Sequence, residues 1–260
     1  MKRLLIVAGF AALVVPVAEA YAQMVGTFRV RAGLGAQVQP EYLGSGKTEW
    51  APYPTLSFTR GDRPFGFGAP DDSLSISLLS SDGFSAGPAL SLRGGRKESD
   101  AGLPIGKVGS TIEAGGFVQH QASESLRLRA ELRKGIGGHG GLVGHVGADQ
   151  VWRHGDRYLF SIGPRLRFSD GKFQRAFFGV GPEESLASGL PQYRPGGGIH
   201  AIGLASGMHY SLGGRWGLFG YARYDRLIGD ARKSPIIREI GSPNQFSAGV
   251  GVSHTFTLKL

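Results

Sequence analysis

The sequence predicts an all-β fold, a transmembrane antiparallel β-barrel, and three observations carry the prediction. Apolar and polar residues alternate with a period of two in segment after segment, as they do when successive side chains point to opposite faces of a strand. Glycine is the commonest residue, 44 of 260, which suits tight turns and disfavours helices. Aromatic residues (Trp50, Tyr53, Trp152, Tyr158, Trp216 and Tyr224) fall near segment ends, where a barrel meets the two membrane interfaces.

Taken in order, the chain opens with a secretory signal. Lys2 and Arg3 precede an apolar run from Leu4 to Val17, and Ala20-Tyr21-Ala22 has the form of a cleavage site. Residues 1–22 are therefore expected to be removed, leaving 23–260 as a single barrel domain. The apolar run is too short for a spanning helix, which needs about 20 residues. No later run is longer, and there is no cysteine for a disulfide framework or a thiolate metal site.

Alternation begins at Phe28, Val30, Ala32, Leu34 and Ala36, set against Arg29, Arg31, Gly33, Gly35 and Gln37. It is clearest in SLRLRAELRKG (125–135), where Leu126, Leu128, Ala130 and Leu132 interleave with Arg127, Arg129, Glu131 and Arg133. It recurs from Tyr158 to Ser169, with Arg165 and Arg167 on the polar set, and from Phe246 to Leu260. The last run is long enough to cross a bilayer, which takes about 9–11 tilted residues. A secreted β-sandwich also alternates, but its strands are typically about 5–6 residues, and it has no reason to place aromatics at strand ends.

The connections set the strand number. Tight ones stand at 60–63, 80–83, 122–125, 153–156 and 212–215; longer or glycine-rich ones stand at 42–47, 68–72, 96–106, 136–141, 170–197 and 229–243. They alternate if 170–197 is one excursion with FQRAFFGV folded inside it. Short turns face the periplasm in bacterial barrels, so the pattern predicts twelve strands with both termini periplasmic. The segment 64–68 is short for a spanning strand, which leaves ten as the alternative.

The leucines of 126–132 are expected to face lipid, because Arg or Lys on that face at midplane costs about 2–4 kcal/mol. Glu113, Arg127, Arg129, Glu131, Arg133, Arg165 and Arg167 are then lumen-facing. A barrel of twelve strands is wider than the eight-stranded kind that side chains fill. Its lumen is either partly open or blocked by arginines paired with Glu113 and Glu131.

The formal charge is +9, and +8 once Lys2, Arg3 and Glu19 are removed. The basic residues are spread along the alternating segments of an exported chain, which argues for outer-membrane lipid and lipopolysaccharide as acidic partners and against nucleic acid. Three motif look-alikes fail. GSGKT (44–48) has Glu41 where a phosphate-binding loop needs glycine. GFSAG (83–87) would make Ser85 a nucleophile only in a strand-turn-helix, whereas GPALSLRG continues as a strand. GGHGG (137–141) presents His139 without metal-ligand spacing among the seven histidines, so it is expected to be a flexible loop. No catalytic, cofactor-binding or metal-binding residue is assigned.

Six blocks in order carry a family resemblance: PEYLGS (40–45) with PYPTLSF (52–58), LLSSDGFSAGPALSLRGGR (78–96), GGHGGLVGHVGA (137–148), FFGVGPEESLASGLPQYRPGGG (177–198), YDRLIGDARKSPII (224–237) and GSPNQFSAGVGVSHTF (241–256). Across nearly the whole mature chain this resembles the MipA/OmpV family of Gram-negative outer-membrane proteins. The family commonly stops at an aromatic residue, and this chain adds Thr257 to Leu260 after Phe256. The resemblance implies a non-enzymatic scaffold that binds a lytic murein transglycosylase and a bifunctional penicillin-binding protein in cell-wall remodelling. OmpV-type members imply the alternative of a small-solute channel or a protein of adhesion and osmotic adaptation. The resemblance fixes neither the partner, the solute nor the oligomeric state.

Overall fold

The computed structural model describes residues 26–259; the expected signal peptide, 1–22, lies outside them. Twelve strands form one antiparallel sheet that curls toward a barrel. Ten are long: β1 (Thr27–Pro40), β2 (Thr48–Arg60), β5 (Phe84–Arg93), β6 (Thr111–Gln121), β7 (Leu126–Gly137), β8 (Leu142–His154), β9 (Tyr158–Ser169), β10 (Gly198–Gly213), β11 (Trp216–Leu227) and β12 (Asn244–Lys259). Two are short, β3 (Leu74–Ser75) and β4 (Leu79–Ser81), and both pair with β5. No strand forms at 64–68, where one was expected; the twelfth strand comes instead from the division of 74–81 into two pieces.

From β5 to β12 each long strand pairs with the next, and β12 returns to β1, from Thr27 opposite Lys259 to Val38 opposite Ala248. Both described ends of the chain therefore lie at the same end of the sheet. The tight turns lie there too, and the longer connections lie at the other end, called the long-loop end below. Beyond β1 lies β2, and no ladder joins β2 to β3 or β4 among the described residues. Pro52 and Pro54 fall on this edge strand, where a residue with no N–H to donate is tolerated.

The alternation reads out as two faces. Leu128, Leu132, Val146, Ile162, Leu166, Ile202, Leu204, Val250 and Val252 are exposed on the outer face, while Arg127, Arg129, Glu131 and Arg133 are buried on the inner one. At the tight-turn end the outer face carries Phe58, Phe84, Trp152, Tyr158, Phe160, Tyr210, Trp216 and Phe256; at the long-loop end it carries Trp50, Tyr224 and Phe246. Tyr53 departs from the expectation for strand-end aromatics, packing inward with its ring centroid 4.8 Å from that of Tyr221.

Connections at the long-loop end fold into helices: α1 (Glu98–Ala101), α2 (Gly171–Phe178), α3 (Pro182–Ser188), α4 (Gly229–Lys233) and α5 (Pro235–Glu239). Asp170 caps α2 by accepting from the Phe173 N–H at 2.8 Å. Phe173 and Phe177 are one helical turn apart and point to the same side. With Phe178 they bury completely against Leu227, Ala231 and Ile237. A second cluster joins Tyr42, Ile105, Val180, Leu190 and Ile236. Buried Arg96 ties the cap together, donating to the carbonyls of Phe177 (2.8 Å) and Ile105 (3.1 Å).

Candidate functional site

The seven residues expected to face the lumen lie on three strands, β6, β7 and β9, and share one surface. Period-two side-chain direction places Arg127, Arg129, Glu131 and Arg133 in a row on β7. The register then sets Glu113 of β6 and Asp149 of β8 on either side, and Arg165 and Arg167 follow on β9. Glycines clear the space for these long side chains. A Cβ at Gly147 would stand 2.8 Å from Arg165 Cδ, and one at Gly203 would stand 2.3 Å from Asp225 Oδ1.

The charges form one unbroken chain. Glu113 accepts from Arg93 and from Arg133 Nε at 3.1 Å, and Arg133 reaches Glu131. Glu131 accepts from Arg129 at 2.6 Å. Arg129 lies 3.5 Å from Asp72, and Asp72 accepts from Arg127 Nη1 at 2.6 Å. Asp149 joins Arg127 to Arg165, each at 2.6 Å. Asp71 joins Arg165 (3.0 Å) to Arg167 (2.8 Å), and Asp225 joins Arg167 (2.8 Å) to Arg223 (3.4 Å). Seven arginines thus alternate with six carboxylates. Each carboxylate bridges two cations, and this near balance makes burial tolerable, since an unpaired charge in such a place costs several kcal/mol or more.

Two of the six carboxylates come from no strand. Residues 61–73, expected to hold a short strand and an outer loop, instead form a strap that runs back inside the sheet. Phe65 is buried beneath Arg31, whose guanidinium carbon lies 3.9 Å from the ring centroid. Its N–H donates to Asp156 Oδ1 at 2.9 Å. The strap then delivers Asp71 and Asp72 into the ladder, and Ser73 Oγ donates to Glu131 Oε2 at 2.6 Å. Burial alone would raise the Asp71 carboxyl, but Arg167 and Arg165 beside it hold it well below the usual carboxylate range.

Sequence reasoning missed Asp71, Asp72, Asp149, Asp225, Arg93 and Arg223. One signal was available: a row of inward arginines needs counter-ions, and the aspartates at 71–72 are one of two adjacent acidic pairs in the sequence, with Glu183 and Glu184. His139 is also corrected. It is fully buried at the turn of the β7–β8 hairpin, not in a flexible loop. Its Nδ1 accepts from the Gly141 N–H at 3.0 Å, so in the neutral ring Nε2 carries the proton and donates to Glu113 Oε1 at 3.1 Å. Ser85 sits near the start of β5, opposite Gln119, with no strand-turn-helix around it. Asp72, Glu131 and His145 bring ligand atoms within 4.8 Å of one another. Both carboxylates are already committed to arginines, and Arg133 and Arg167 add to the cationic surroundings of His145, which disfavours a metal ion there.

Near the tight-turn end lies a cavity of about 200 Å³ lined by Arg29, Arg31, Asp156, His209 and Arg215 among others. Asp156 is shared, accepting from Arg29 at 2.9 Å and lying 3.7 Å from Arg31.

No curated protein sequence matches the chain. Among solved structures it is similar to the KdgM porin (TM-score 0.38, 11% identity, 88% of this chain and 99% of that one). It is similar to the NanC porin as well (TM-score 0.39, 12% identity, 87% and 98%). An outer membrane channel from Pseudomonas putida F1 gives a TM-score of 0.43 at 10% identity, over 90% and 96% of the two chains. At this level nothing about transport passes from those proteins to this one. A family model described as MltA-interacting protein MipA matches residues 32–256, and the chain belongs to that family.

Proposed function

We propose that this protein is a non-enzymatic scaffold barrel of the Gram-negative outer membrane that holds a murein hydrolase and a murein synthase together at its periplasmic end. One observation carries the reading most: the interior is crossed by side chains and by the strap. The ladder and strap lie between the strands, and the phenylalanine cap lies at the long-loop end. A barrel obstructed in this way suits presentation of its rim better than passage of a solute. The family's description as an MltA-interacting protein supports the same reading. On it, both termini and the tight turns face the periplasm and the girdle aromatics sit at the two lipid interfaces. The partners are then a lytic murein transglycosylase and a bifunctional penicillin-binding protein. The test is capture from envelope extracts by the purified, folded barrel; recovery of both murein enzymes is expected, and recovery of neither removes the proposal.

A second reading, a small-solute channel, is favoured by the cationic lining and by the cavity at the tight-turn end. Planar-bilayer recording separates the two. The scaffold predicts no steady conductance from the parent protein.

A further inference from the structure

We propose that Arg127, Arg129, Arg165 and Arg167 form a binding site for a multivalent oxyanion, and that Asp71 and Asp72 occupy it as a built-in, displaceable ligand. The inference is independent of any murein partner. Its first support is charge. Without the strap, seven arginines, of which Arg127, Arg129, Arg133 and Arg165 are buried, face four carboxylates, Glu113, Glu131, Asp149 and Asp225, each already shared between two guanidinium groups. Such a surface demands anions, and planar guanidinium forks match carboxylate and phosphate oxygens in geometry.

The second support is how the strap is held. Its two aspartates make four ion pairs, and Phe65 and Ser73 use side-chain partners, Asp156 and Glu131. Residues 62–73 make no backbone–backbone hydrogen bond to a strand; the one between Asp72 and Ala69 is internal. The strap also joins β2 to β3, the two sheet edges that no ladder connects. It can therefore leave without breaking a ladder, and only ionic and side-chain contacts must be replaced. An oxyanion offers those arginines the same chemistry.

The third support is access. Phe65, at the start of the strap, lies under Arg29 and Arg31, and both arginines line the cavity at the tight-turn end. An anion entering there meets the strap first.

The experiment uses the full barrel in bilayer vesicles with a nitroxide at Gly66→Cys. The sequence has no other cysteine, Gly66 is exposed, and a Cβ there meets nothing within 4 Å. Inorganic pyrophosphate is titrated against sodium chloride of equal ionic strength. Pyrophosphate is expected to mobilise the label saturably while the chloride control does not. Asp72→Asn, having lost one competing charge, should reach its midpoint at about tenfold lower pyrophosphate, and Arg165→Gln at higher. The proposal is overturned if the label ignores pyrophosphate or responds equally to chloride. A parent midpoint unaltered by Arg165→Gln overturns it as well. Should Asp72→Asn fail to assemble, the titration of the labelled protein with and without Arg165→Gln still decides.

Discussion

Between the strands, the inside of the sheet is crossed by arginines and carboxylates; at the long-loop end, it is packed with Phe173, Phe177, Phe178, Ile236 and Ile237. The same chain uses opposite chemistry in adjoining volumes, and the strands explain why. A strand has two faces, and a slip of one residue exchanges them. When the outer face is apolar, a polar inner face keeps the register unambiguous, and a volume lined by polar groups must then be closed by pairing them. The cap connections carry no such constraint. They form short helices with apolar faces and pack as the core of a small soluble domain does.

The largest effect should come from breaking the ladder at a fully buried bridge. Asp149→Ala leaves Arg127 and Arg165 each short of a partner on the same spot. Removing one partner of a buried pair costs about 3–5 kcal/mol. Urea unfolding from bilayer vesicles reads it, and a loss below about 1 kcal/mol, the range of exposed pairs, means that the ladder contributes little.

Next in size is the test of the two faces. Leu128→Arg puts a charge on the exposed outer face at a cost of about 2–4 kcal/mol if that face meets acyl chains. Arg129→Leu should cost less, because Glu131 keeps Arg133, Asp72 keeps Arg127, and six arginines then face six carboxylates, whereas Asp149→Ala leaves seven facing five. The heat-modifiable gel shift of folded barrel reports both; the opposite order would mean that the faces are reversed.

Acid should separate the two regions. Asp71 faces Arg165, Arg167 and His145, and these hold its folded pKa below the ordinary 3.8. For a depressed carboxylate, stability is fully present above the unfolded value and is lost as pH falls through the folded one. Below about pH 3.8 the strap should therefore loosen while the apolar cap holds. Pepsin, active in that range, should cut near Phe65 and Phe67 before it cuts at Phe177 and Phe178. Cleavage of the cap first would refute the division. The smallest effect belongs to the cap: Ile236→Val, one methylene removed from a fully buried side chain, should cost about 0.5–1.5 kcal/mol, seen in the same urea series.

How much of this was legible depends on distance along the chain. SLRLRAELRKG alone determined its strand, its two faces and the burial partners of neither, because period two is a property of consecutive residues. The same holds for the tight turns, the long connections and the placing of Glu113, Arg165 and Arg167 on polar sets. Tyr53 shows the limit of that logic: its nearness to a strand end was visible, while its inward direction depends on the parity of β2. Only the tertiary structure decided where residues 61–73 go. GDRPFGFGAPDD alternates only at PFGFG, a stretch too brief to say whether it pairs in the sheet or turns inside it, and Asp71 meets Arg165 across 94 positions of sequence. His139 was misread for the same reason, since its partner Glu113 stands 26 residues away on another strand. Local alternation is written residue by residue, whereas charge compensation is settled only when the curled sheet brings distant arginines to one place and leaves them needing carboxylates.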